Sequence, residues 1–213
     1  MCKSGLFGAL LLALVSIQGS AAEVGLVTAV SGNVKWQEEK SAASELKPFV
    51  KVREGDQLMM EGLARVQVVY FESARQETWQ GTGVLEVGST SSKPIKGSQQ
   101  PEIKMLPAIL VKQLSKTPSP DGNVKTGMIR LRSMTPPLES VERDYAEMRK
   151  QADSADRNPE LFLLASYFER REYVKLEALL GKLNEETRGA PELTALNALY
   201  SRAISAAKAT EKN

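Results

Sequence analysis

The chain contains no histidine, and its only cysteine is Cys2. Without imidazole there is no serine or cysteine nucleophile served by a histidine base. Cys2 lies in an N-terminal segment expected to be removed, so the usual nitrogen and sulfur ligands for zinc or copper are missing from the remainder. Long apolar runs are also scarce. The main one, Leu6 to Ile17, is shorter than the ~20 residues that a membrane span needs, and the mature chain is read as having no transmembrane span. A hydrophobic fraction of 42% with 25% charged residues is that of an ordinary globular protein and excludes disorder over most of the length, as well as a collagen-like chain.

The first 22 residues have the order of an export signal. Lys3 gives the positive end, Leu6 to Ile17 the apolar run, and Ser20-Ala21-Ala22 the small residues before a cut. Cleavage after Ala22 leaves Glu23 first and sends the protein to the periplasm or the exterior. No cysteine follows the apolar run, so a lipid anchor there is not expected. A mature chain without thiols suits an oxidising compartment.

The remaining sequence divides by charge and period. Residues 89–134 hold eight basic side chains (Lys93, Lys96, Lys104, Lys112, Lys116, Lys125, Arg130 and Arg132) against only Glu102 and Asp121. Polar, proline-containing stretches begin at Ser89, at Lys116 and at Thr135-Pro136-Pro137. The last is taken as the boundary between a β domain over 23–134, which includes the basic segment, and a helical domain over 138–213, with few contacts crossing it.

Before the boundary the period is two. Val24, Leu26, Thr28 and Val30 alternate, Gly32-Asn33 reads as a turn, and Val34 with Trp36 resume, which predicts a hairpin. Pro48 to Val52, Gln57 to Met60, Arg65 to Phe71 and Gly83 to Val87 are further strands. The separators are Glu54-Gly55-Asp56, Glu61-Gly62 and Gln80-Gly81-Thr82-Gly83. Ala108 to Leu114 and Gly127 to Arg132 add two late strands, the first of which also fits a helical turn. The expected fold class is α+β by segregated domains, with an all-β sandwich, roll or small barrel first.

Three pieces together resemble the FecR domain of bacterial envelope proteins: Val27 to Val34, Val52-Arg53-Glu54-Gly55-Asp56-Gln57-Leu58, and Gly62 to Val68. The resemblance covers roughly Val24 to Gly88. It departs after Val69-Tyr70-Phe71, where the family has an Asp-Gly turn and this chain reads Glu72-Ser73-Ala74-Arg75. In the iron-uptake regulators that name the family, the domain relays a receptor's state across a membrane. This chain shows no second hydrophobic span for such a relay, so the resemblance implies an envelope location alone.

After the boundary the period becomes helical. The four stripes begin with Val141-Tyr145-Met148-Ala152 and Leu161-Leu164-Ala165-Phe168. They continue with Tyr173-Leu176-Leu180-Leu183 and, in a last helix opened by Pro191, with Leu193, Leu196, Tyr200, Ala203, Ile204 and Ala207, and short connections imply an antiparallel bundle. Asn158-Pro159 reads as a cap and first turn. Leu164 to Tyr173 resembles the hairpin of a tetratricopeptide repeat, although Leu176 stands where that repeat has a small residue and no second copy follows.

No catalytic, cofactor or metal constellation emerges. Glu38-Glu39, Glu54 with Asp56, and Glu185-Glu186 are read as solvated pairs, and Gly81-Thr82-Gly83 as a turn. Trp36 and Trp79 are read as core before sugar-stacking platforms. The expected function is a non-enzymatic periplasmic or envelope protein-interaction module that recognises an envelope polypeptide through the helical hairpin, with Tyr167 and Tyr173 as contact residues. The alternative is attachment to cell-wall glycan or anionic lipid through Lys112, Lys116, Arg130 and Arg132, with a tryptophan on the sugar. Nucleic acid is not an expected partner.

Overall fold

The computed structural model describes residues 22–38, 41–97, 100–119, 136–186 and 190–210. An antiparallel sheet occupies the N-terminal part and helices the C-terminal part, an α+β arrangement in which the two kinds of structure follow one another along the chain. The export signature through Ala21, the strand expected at Gly127 to Arg132, and Thr135 lie outside the described residues.

Two long strands organise the sheet. β1 (Glu23–Gln37) runs antiparallel to β4 (Gln57–Tyr70), from Gly25 opposite Tyr70 to Gln37 opposite Gln57. The first half of β1 also pairs with β3 (Lys51–Arg53), and the second half of β4 with β5 (Arg75–Gln80), which carries β8 (Glu102–Met105) at its edge. The remaining halves pair with β2 (Ser44–Glu45) and with β6 (Gly83–Val87), which continues to β7 (Ser92–Lys96). β1 and β4 thus belong to both ends of a bent sheet that encloses Val27, Val34, Leu58, Val68, Trp79 and Leu85.

Three local expectations are corrected. Gly32-Asn33 is not a hairpin turn, because β1 continues through it; the register shifts there and Gly32 takes φ +76°. A Cβ at Gly32 would lie 2.9 Å from the Ala64 Cα, so glycine lets the two bent strands cross closely. Glu61-Gly62 likewise bends β4 without ending it. Ala108 to Leu114 is the helix α1 (Ala108–Leu114), the helical alternative, with Leu110, Val111 and Leu114 buried on one face. Where the FecR pattern has Asp-Gly, Ala74 takes the left-handed conformation at φ +53° and the β4–β5 turn forms without glycine.

The helices are α2 (Leu138–Gln151), α3 (Asn158–Arg170), α4 (Tyr173–Glu186) and α5 (Pro191–Thr210). α3 is central, with every residue from Asn158 to Tyr167 buried, so its expected stripe widens to the whole circumference. Asn158 does not cap it. Its Nδ2 donates to Gln76 Oε1 on β5 at 2.6 Å, while Asp156 Oδ1 accepts the Asn158 N–H at 2.9 Å. α3 ends at Arg171 with φ +63°, where the N–H groups of Arg171 and Glu172 reach the carbonyls of Phe168 and Tyr167.

Sheet and helices share one core. Leu26, Phe49, Val69 and Leu106 are buried in the same cluster as Leu110, Leu161, Phe162, Leu164, Leu176, Leu196 and Tyr200. Lys104 pairs with Asp156 at 3.0 Å and Lys116 with Glu169 at 2.7 Å across the same junction. Few contacts were expected across the Pro136-Pro137 boundary; many cross it. On the helical side β1 and β4 contribute Leu26 and Val69 to this cluster.

Candidate functional site

An open cleft lies where the bend of β1 meets α5. The chain from Ser44 to Val50 runs beside β1 and is pinned at two points. The Leu46 N–H donates to the Val34 carbonyl at 2.9 Å, and at the other end Phe49 N–H donates to Val27 O at 2.7 Å and Val27 N–H to Val50 O at 2.9 Å. Lys47 and Pro48 thus span what β1 takes six residues, 28–33, to traverse, and Phe49 turns into the helical core with φ +67°. This mismatch leaves a groove of about 810 Å³, whose opposite wall is one face of α5: Pro191, Thr194, Ala195, Ala198, Leu199 and Arg202. A second, smaller cavity of about 230 Å³ shares Phe49 and Glu192 with it and reaches Thr28, Glu160 and Leu161.

Trp36 lines the groove and is half-buried. Its Nε1–H donates to Asp56 Oδ2 at 3.0 Å, and the same oxygen accepts the Arg53 N–H at 2.9 Å. Asp56 is buried, unlike the solvated loop acid expected from its place beside Glu54 and Gly55. A buried carboxylate that accepts two N–H groups is fixed, and it fixes the indole in turn. Trp79, by contrast, is enclosed in the sheet, with Nε1–H donating to the fully buried Glu77 at 2.9 Å. Glu77 also accepts from Arg75 Nε at 2.7 Å and from the Ser92 N–H at 3.0 Å. Beside it the hydroxyls of Tyr70 and Ser92 share a hydrogen bond, and burial pushes the Tyr70 phenol well above its usual range.

The residues singled out from sequence are not brought together. Tyr167 is buried; its hydroxyl donates to Glu142 Oε1 at 2.9 Å and its ring lies under Lys175. Burial first, and Glu142 second, raise its phenol far above the usual value. Glu142 is held below the ordinary carboxylate range by Lys175 first and by the Tyr167 hydroxyl second. Tyr173 packs against Phe168 with ring centroids 6.3 Å apart, and Lys208 lies over its ring. Lys116 is held by both oxygens of Glu169, and Lys112 is exposed on α1. Arg130 and Arg132 lie outside the described residues. The helices therefore supply acids to a segment that looks almost uniformly basic in the sequence.

Buried charge elsewhere is structural in its geometry. Glu160 accepts from Arg149 Nη1 at 3.0 and 3.1 Å, and the same guanidinium closes the α2–α3 loop by donating to the carbonyls of Ala152, Asp153 and Asp156. Among the described residues no group of three or more histidine, cysteine, aspartate or glutamate side chains is placed to hold a metal, and no helix is long and apolar enough to cross a membrane.

The α5 wall of the groove was missed from sequence, because it lies more than 150 positions from Trp36 and only the fold brings it near. The spacing 191, 194, 195, 198, 202 was a readable helical face, but nothing in it named its partner. No protein-family model, no curated protein and no solved structure matches the chain.

Proposed function

We propose that the chain is a non-enzymatic interaction module of the cell envelope, FecR-like in its sheet, which recognises an envelope component through the groove between β1 and α5. The observation that carries this reading is the groove of about 810 Å³ with a fixed, half-buried Trp36 in its wall. A cleft of that size falls within the ~300–1,000 Å³ of small-molecule sites. The extracytoplasmic location rests on the order of Lys3, the Leu6 to Ile17 run and Ser20-Ala21-Ala22.

The groove replaces the helical hairpin as the binding surface, since Tyr167 and Tyr173 are occupied by their own neighbours. It also takes precedence over the basic segment, where Lys104 and Lys116 are paired with Asp156 and Glu169. Retention of the full protein on native envelope material tests this. Trp36→Ala and, independently, Thr194→Arg are expected to lower retention at least tenfold. Substituting Lys112 and Lys116 with glutamine is expected to leave it within twofold. Retention that ignores both groove variants, or that disappears on adding salt and with the lysine variants, would move binding to the basic segment.

A further inference from the structure

The polar groups around the groove say what it takes. Six side chains at its walls, Ser31, Ser44, Glu45, Lys47, Glu192 and Thr194, make no side-chain hydrogen bond or ion pair with another described residue. They share the groove's walls with its one half-exposed aromatic ring, Trp36. The more apolar lining residues offer little: Leu46, Phe49 and Leu199 are 3%, 2% and 5% exposed, so they make a shallow floor and no deep pocket for an apolar anchor. Charges of both signs face the space, which gives no single-sign field to attract a polyanion or an anionic membrane.

A flat apolar ring held rigid, with hydroxyls and carboxylates on the same walls that engage no other described residue, matches one ligand chemistry. A pyranose lays its C–H face on an indole and points hydroxyls outward in the ring plane, where acceptors and donors must meet them. A peptide paired with the open edge of β1 over residues 28–33 would find no side-chain pocket in the shallow floor. We infer that the groove binds a short, uncharged or N-acetylated oligosaccharide, with Trp36 as the stacking platform and the six polar side chains as hydroxyl partners. This rests on the reading of the groove as the binding surface and names its ligand. Asp56 is the positioning residue, acting through the Trp36 Nε1–H.

The test is direct titration of the full protein with the tetrasaccharides of N-acetylglucosamine, β-glucose and α-glucose, followed by calorimetry and by tryptophan emission. At least one is expected to saturate the protein and shift its emission, with affinity changed less than twofold between low and high salt. Trp36→Ala should weaken that binding at least tenfold, and Trp36→Phe less than Trp36→Ala. Thr194→Arg blocks the groove from the α5 wall and leaves the Trp36–Asp56 contact alone, so it should also abolish binding even if Trp36→Ala proves poorly folded. Binding of no tetrasaccharide, with envelope retention still dependent on Trp36 and Thr194, would overturn the saccharide inference and leave the groove as a polypeptide site. Saccharide binding untouched by both variants overturns it as well, and retention independent of both variants removes the groove reading itself.

Discussion

Replacing Phe162 with alanine in α3 is expected to destabilise the sheet as much as the helices. Phe162 is 1% exposed and lies in the cluster that also buries Leu26, Phe49, Val69 and Leu106 from the sheet side. Removing a buried phenylalanine side chain costs about 3–5 kcal/mol, the transfer term plus the cavity left behind. With a urea dependence of about 2 kcal/mol per molar, the midpoint falls by roughly 2 M. The two halves can be followed separately. In a Trp36→Phe background the remaining tryptophan, Trp79, is enclosed in the sheet's own cluster, so its emission reports the sheet, while far-UV ellipticity is dominated by the helices. The expected result is one transition in the native protein and one in the variant, with emission and ellipticity moving together. If the ellipticity midpoint drops while the emission midpoint stays within about 0.3 M, well inside the shift expected above, the shared core does not couple the halves. They would then be independent domains.

Two further outcomes follow from buried polar groups. Glu77→Ala leaves the Trp79 Nε1–H and the Ser92 N–H without an acceptor, at about 1–3 kcal/mol each, while Arg75, 31% exposed, regains water. Denaturation should therefore show a loss of about 2–6 kcal/mol, with Glu77→Gln losing less because its carbonyl still accepts; a loss under about 0.5 kcal/mol for alanine would mean the network is dispensable. The phenols give a pH dependence. Burial raises Tyr70, Tyr167 and Tyr200 in the folded state above the ordinary value of 10.0, so the stability they lend is fully present below that value and is lost as pH rises through their folded values. Phenolate absorbance should rise in two stages, the second coinciding with loss of ellipticity. All five tyrosines titrating together near the ordinary value with ellipticity intact would contradict the burial.

The strand character of 24–30 and the stripes of α2, α4 and α5 were legible because each is written in neighbouring residues, but the face expected of β1 is divided, with Val24 and Val30 against the sheet's cluster and Leu26 in the helical one. The errors share a different cause. Gly32-Asn33 carries the local signature of a turn, but the long pairing with β4 overrides it and converts the glycine into a bend. Ala108 to Leu114 is a short apolar run of the kind that period alone does not resolve between strand and helix. Asn158 has the composition of a cap, yet its amide is drawn to Gln76, 82 positions earlier. Asp56 looks solvated beside Glu54 and Gly55 until Trp36, 20 positions away, places an indole N–H against it. In each case the deciding partner is remote, and for the groove it is an entire helix.

Leu26 and Val27 stand side by side in β1 and serve two different interiors, Leu26 the helical cluster and Val27 the inside of the bent sheet. During synthesis these two residues emerge together but are satisfied at different times. Val27 can be enclosed as soon as the chain through Val87 is out, because every member of its cluster precedes that point. The cluster of Leu26 is completed only by α1 and by residues 141–204, so a nascent chain with a completed sheet and no helices still shows water a stripe of Leu26, Phe49, Val69 and Leu106. Such a stripe is what holding chaperones bind and what drives partly made chains to associate. The helices therefore do more than wall the groove: until they arrive, the first strand of the protein remains adhesive.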